Sequence, residues 1–233
     1  RIGGDGNCYY RAVVFGLLEQ LVLQDEREKL GHLYGIFATV SYEAGSAEDY
    51  AHSELLEVLD AASTSRSWLD ADQLQKSFLD KSNPIDEALV RACRSLLSTY
   101  LIRNEAQVTG NGLPLKECIL SVCDDVSTME DYCEKYIRRM GEDAEGAFLE
   151  MGLLPSLLGA QCVIHNLDIY SAQKEIECPY TNIFGECIGS VNILLRPGHY
   201  DLLYPMGMTF SPPIPMGMTF SPPIRAPRAP SSG

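Results

Sequence analysis

The sequence predicts an α+β domain in which helices come first and a small, mainly antiparallel sheet follows in the C-terminal third. Three observations predict it. Apolar residues recur at helical spacing in one segment after another from Tyr9 to about Leu158. From Gln161 the pattern changes to short apolar runs separated by turn residues, as strands require. The 233 residues, 45% apolar and 21% charged, suffice for one substantial core. Helices and strands segregated along the chain stack as separate layers on that core.

The elements follow in order. Tyr9 to about Gln24 holds no proline and sets Ala12, Val13, Leu17, Leu18 and Leu21 on one face of a helix. A charged break, Gln24 to Lys29, leads to a second helix over Leu30 to Val40. Tyr42 to Asp49 reads as an exposed loop, with Asp49 capping a helix over Tyr50 to Ala62. After a loop at Ser63 to Ser67, Trp68 to Leu79 reads as a short helix. Asn83-Pro84 turns the chain into its longest periodic segment, Asp86 to about Ala106, with Cys93 on the buried face. Gly110-Asn111-Gly112 breaks that run. Pro114 to Cys123 predicts a short helix, and Thr128 caps another through Met140. Glu142-Asp143 begins a last helix to about Leu158, in which Pro155 predicts a kink or an early end.

Three strands follow. Cys162 to Leu167 is the first, and a long polar loop, Ser171 to Gly189, separates it from Val191 to Leu195. Arg196-Pro197-Gly198 supplies a turn, after which His199 to Tyr204 runs back antiparallel. The domain therefore spans residues 1–204. Residues 205–233 repeat PMGMTFSPPI twice without a change and then become Pro/Ala/Ser-rich, which predicts a disordered tail.

Eighteen Lys and Arg against 32 Asp and Glu give a net charge of −14. That balance argues against a nucleic-acid backbone or an anionic membrane as partner and suits a basic one. No apolar run approaches the roughly 18 residues of a membrane span, and no secretory signal is visible. The cytoplasm is the expected location, with the nucleus also allowed. Arg1 in place of Met predicts that more chain precedes it. The eight cysteines form no C-x-x-C pair and the four histidines are scattered, so neither a zinc site nor any other cofactor is expected. Spacing alone allows disulfides; the missing secretory signal favours reduced thiols.

One stretch carries chemistry. Gly3-Gly4-Asp5-Gly6-Asn7 delivers Cys8 to the first turn of the first helix. Such a loop can fold tightly and turn its N–H groups inward, where Gly6 and Asn7 could help hold an oxyanion. The helix dipole at Cys8 favours thiolate over thiol. The alternative is a buried structural cysteine, the commoner fate of a free thiol. Among the histidines, His32 and His52 read as surface or edge positions and His165 as a satisfied core residue. His199 follows a Pro-Gly turn, and strand periodicity puts Asp201 on its face. A carboxylate there can orient the imidazole and leave its other nitrogen to take a thiol proton. Taken alone, H-x-D in a strand is a weak signal.

Both ends together are more specific. Asp5-Gly6-Asn7-Cys8-Tyr9-Tyr10-Arg11-Ala12 and Leu194-Leu195-Arg196-Pro197-Gly198-His199-Tyr200-Asp201-Leu202-Leu203-Tyr204 resemble the signature blocks of the otubains, within the ovarian-tumour (OTU) family of deubiquitinating cysteine proteases. The resemblance spans roughly Arg1 to Tyr204. It implies a papain-like OTU fold and hydrolysis of the isopeptide bond after the C-terminal glycine of ubiquitin. It further implies Cys8 as nucleophile, His199 as base, Asp201 as orienting acid and Asp5 as shaper of the oxyanion loop. Ubiquitin and polyubiquitin are the implied partners, with ubiquitin-conjugating enzymes a further one; some family members bind ubiquitin or restrain those enzymes through chain that precedes this loop, of which only seven residues stand before Cys8 here. A non-catalytic module binding ubiquitin or a conjugating enzyme through the same fold is the rival reading. Tyr9 stands where a Phe is usual, and Gly146-Ala147-Phe148 replaces polar and histidine residues.

Overall fold

Helix α1, Cys8–Leu23, is the axis of the core. Its interior is almost wholly buried, from Tyr9 and Tyr10 through Val13, Leu17 and Leu21, so it has no solvent stripe to speak of. In a computed structural model of the chain, residues 5–64, 71–80, 84–109, 112–121, 123–141, 148–167, 175–178 and 187–204 are described. Residues 1–203 make one compact unit, and Tyr204–Gly233 a second. The tail expected to be disordered lies outside the described residues.

Around α1 pack α2, Arg27–Phe37, and α5, Ile85–Arg103, with α3, Ala47–Ser63, against both of those. Helix α2 starts three residues before the expected Leu30. The real break is at Asp25, whose φ of 53° reverses the chain. Arg27, Glu28 and Lys29 are good helix formers, so their charge marks the exposed first turn of α2 and not a break. Ser46, not Asp49, caps α3: the Ser46 hydroxyl accepts from the Asp49 N–H at 3.1 Å, while the Asp49 carboxylate reaches back to the Gly45 N–H. Helix α4, Ala71–Leu79, buries Leu74; the expected start at Trp68 lies outside the described residues.

Helix α6, Leu115–Leu120, is shorter than expected. The Thr128 side chain caps α7, Met129–Tyr132, as its sequence predicts. Helix α7 runs directly into a π turn over Cys133–Ile137. Helix α8, Phe148–Leu157, contains Pro155 within its last turn, and its expected cap at Glu142-Asp143 lies outside the described residues.

The sheet has the order β2-β1-β3-β4, formed by β1 (Ala160–Asn166), β2 (Glu175–Cys178), β3 (Gly189–Arg196) and β4 (His199–Leu203). Two of its three ladders are antiparallel, and β1 and β3 run parallel. Strand β2 lies inside what reads as a polar loop; pairing with β1, Ile164 opposite Ile176, makes it a strand. Between β3 and β4, Arg196 pairs with His199 across Pro197-Gly198, and Gly198 takes the positive φ of 70° that this turn needs. Helix α1 lies on β3 and β4.

Two histidines differ from expectation. His52 is buried rather than superficial, its ring edge-on to Tyr42 beside the backbone of Phe37 and Val40, and desolvation pushes its pKa down. His165 is satisfied, with Nε2 3.1 Å from Asn192 Oδ1 and Nδ1 3.4 Å from Glu175, yet it lies on the half-exposed side of the sheet and not in the core. Cys93 is fully buried, as expected.

Candidate active site

Cys8 is the first residue of α1, and the loop before it explains its placement. Gly6 has a φ of 74°, which a side chain would oppose, so the chain can double back into the helix. Asp5 closes the bend by accepting the Asn7 N–H at 3.1 Å. That contact occupies the Asn7 N–H, which in this arrangement is not offered to an oxyanion. The Asp5 carboxylate is also gripped through both oxygens by Arg11, at 2.8 and 2.9 Å, and Arg11 in turn holds Asp86 at 2.7 Å. Arg11 pulls the Asp5 pKa down to about 2 despite partial burial. Asp5 thus acts on the loop through its bonds to Arg11 and Asn7.

On the other side of the loop stands Arg94, which the sequence reading passed over. Only 1% exposed, it donates to Asn7 Oδ1 at 2.7 Å, to the Gly6 carbonyl at 3.3 Å and to the Ile137 carbonyl, at the end of the π turn, at 2.7 Å. Its guanidinium lies 4.1 Å from the centroid of the Tyr10 ring. The available signal was an arginine inside the apolar stripe of the longest helix.

The structure brings the start of α1 and strand β4 together at Cys8. Tyr9 packs edge-to-face on Tyr200, with ring centroids 5.3 Å apart, and the backbone of Tyr200 interacts with the Cys8 thiol. Cys8 therefore lies against β4 at the residue following His199. His199 Nε2 is 3.2 Å from Asp201 Oδ1, and both side chains are largely buried. Asp201 also pairs with Arg196 across the hairpin. An acid on Nε2 leaves Nδ1 as the nitrogen able to exchange a proton.

Electrostatics at the sulfur differ from the sequence expectation. The backbone N–H groups of Tyr200, Tyr9 and Cys8 favour thiolate, as the helix start predicts, but burial is the larger effect and the nearby Asp5 charge adds to it. The Cys8 pKa is raised, so the resting site holds a thiol. Among the described residues no group of three or more His, Cys, Asp or Glu side chains could hold a metal ion, and no helix is long and apolar enough to cross a membrane.

A helical body with a mixed sheet, a cysteine at the start of its central helix and a His–Asp pair on the adjoining strand is the arrangement found in the papain-like cysteine peptidase families. The chain belongs to the peptidase C65 otubain family, whose model matches residues 1–205. It is 24% identical to ovarian tumor domain-containing deubiquitinating enzyme 1 of Arabidopsis thaliana, over 88% of this chain and 69% of that one. To human ubiquitin thioesterase OTUB1 it is 26% identical, over 86% of this chain and 68% of the relative. Among solved structures, ceOTUB1 in a complex with ubiquitin aldehyde and UBC13~Ub superposes with a TM-score of 0.63 at 20% identity, covering 88% of this chain and 77% of that one. The h/ceOTUB1 complex with ubiquitin aldehyde and UBCH5B~Ub gives 0.62 at 21%, covering 88% and 74%.

Proposed function

We propose that the protein is a deubiquitinase that hydrolyses the isopeptide bond after the C-terminal glycine of ubiquitin through a thioester on Cys8. One observation carries the reading: the Asp5-Gly6-Asn7-Cys8 loop opens α1 directly against the strand that holds the His199–Asp201 pair. Its relatives are named deubiquitinating enzymes and ubiquitin thioesterases, which supports the same substrate.

The proton starts on sulfur, because burial holds Cys8 as a thiol. As Sγ attacks the glycine carbonyl, His199 takes that proton, and Asp201 stabilises the imidazolium through Nε2. Backbone N–H groups of the first turn stabilise the oxyanion. Collapse of the intermediate expels the lysine amine, which receives the proton from His199. A water then adds to the thioester, giving its proton to His199, and the ubiquitin carboxylate departs as sulfur is reprotonated. The net charge of −14 suits a basic ubiquitin tail. Conjugating enzymes are further candidate partners, since the OTUB1 complexes contain UBC13~Ub and UBCH5B~Ub.

The test is incubation with ubiquitin bearing a C-terminal electrophile, with Cys8→Ala as control. A covalent adduct at Cys8, absent from the control, is expected. A folded wild-type protein that binds ubiquitin but forms no adduct would defeat the catalytic reading in favour of a binding module.

A further inference from the structure

Asn7 immediately precedes α1 and occupies its N-cap. An asparagine there ordinarily turns its side-chain oxygen onto the N–H of the second or third helical residue and saturates it. Asn7 makes no such bond. Its Oδ1 is instead taken by Arg94 Nη2 at 2.7 Å, and the N–H groups of Cys8 and Tyr9 interact with the Cys8 sulfur. Arg94 cannot easily let go. Its other donor is anchored on the Ile137 carbonyl, and its plane rests on Tyr10, which belongs to the same first turn.

We propose that Arg94 is a positioning residue that holds the Asn7 side chain off the start of α1, reserving the first-turn amides for the Cys8 thiolate and the oxyanion. An ordinary cap would stabilise the helix and occupy the amides that the chemistry needs. The buried guanidinium therefore keeps a helix end uncapped. This rests on Cys8 being the nucleophile of the proposed function.

The experiment is a cycle of Arg94→Met, Asn7→Ala and the double variant, with two readouts and a thermal melt to confirm folding. One readout is the pH dependence of Cys8 alkylation by iodoacetamide, followed on the Cys8 peptide by mass spectrometry, which needs no ubiquitin. The other is turnover of a fluorogenic ubiquitin C-terminal amide. In Arg94→Met, Asn7 swings in to cap α1. The alkylation midpoint then rises by about half a pH unit, and kcat falls on the order of tenfold or more with KM little changed. Adding Asn7→Ala removes the misplaced cap, so the midpoint moves back down and part of kcat returns. A merely structural arginine gives losses that add, and a second substitution never restores activity. Additive losses, or an unmoved midpoint in folded protein, overturn the proposal. Arg94→Gln, polar but too short to reach Asn7, carries the same test should Arg94→Met not fold. Wild-type protein that alkylates normally yet leaves the ubiquitin amide uncut defeats the deubiquitinase reading, and the alkylation cycle still decides the role of Arg94.

Discussion

Gly16 sets how closely the helix that begins at Cys8 approaches the strand that begins at His199, and on the proposed function Gly16→Ala should cost activity out of proportion to stability. A methyl at Gly16 would stand 2.6 Å from Leu202 Cδ1 on β4 and 3.0 Å from Val191 Cγ1 on β3, where ordinary contact begins at 3.4 Å. The end of Leu202 can rotate away. Val191 is β-branched and sits on a strand paired on both sides, so it yields only with the backbone. The helix must then lift by a few tenths of an ångström from β3, and by more if Leu202 stays. Overpacking costs about 1–3 kcal/mol, offset by the ~0.5–1 kcal/mol that alanine gains over glycine in a helix. The net loss is at most about 2.5 kcal/mol, a fall in Tm of several degrees for a chain of this size. A misplacement near 1 Å can cost roughly a hundredfold in rate, so a lift of several tenths should lower kcat about tenfold. Turnover of a fluorogenic ubiquitin amide reads this, with Gly16→Ala/Leu202→Ala expected to recover part of it. Unchanged kcat in Gly16→Ala would show that the α1–β4 spacing does not govern the site.

Asp201→Asn should slow turnover far more than it weakens ubiquitin binding, because the carboxylate touches His199 and Arg196; equal loss in both, measured by steady-state kinetics and direct binding, would count against an orienting role. Buried His52 predicts a stability effect of definite sign. Its folded pKa lies below its unfolded value of 6.5, so the unfolded chain binds the proton better. Stability is full above about pH 6.5 and falls as pH drops toward the folded value. His52→Gln should flatten the decline in urea-melt midpoint between pH 7.5 and 5; an identical decline in both proteins would remove His52 as its source.

Much of the fold was legible because single segments declare it. Tyr9 to Gln24, the Thr128 cap and the Pro197-Gly198 turn depend on local periodicity and local backbone preference. The loop before Cys8 and the turn before His199 were legible from Gly6, Pro197 and Gly198. The sequence reading missed what only a neighbour creates. Strand β2 has four residues, two of them glutamates, and becomes a strand by pairing with β1. His52 looks polar in sequence and is buried because Tyr42 and the end of α2 cover it. Arg94 breaks an apolar stripe, and acceptors that hold it come from the Cys8 loop and the π turn, far away in sequence. The thiolate expectation erred for the same reason. A helix start is visible in sequence, whereas the burial that outweighs it belongs to the assembled core.

Strand β4 is an edge strand and the last element of the compact unit, while Cys8 opens the first helix. During synthesis, at roughly 5–20 residues per second, Cys8 exists for many seconds before His199 has been made. A ribosome-bound chain lacking β4 has no His199, so on the proposed function no partly translated copy can cleave ubiquitin from its surroundings. Under the proposed mechanism, synthesis of β4 is the activating event, and a frameshift or stop between Cys8 and His199 yields a chain that keeps the thiol but lacks the proposed base.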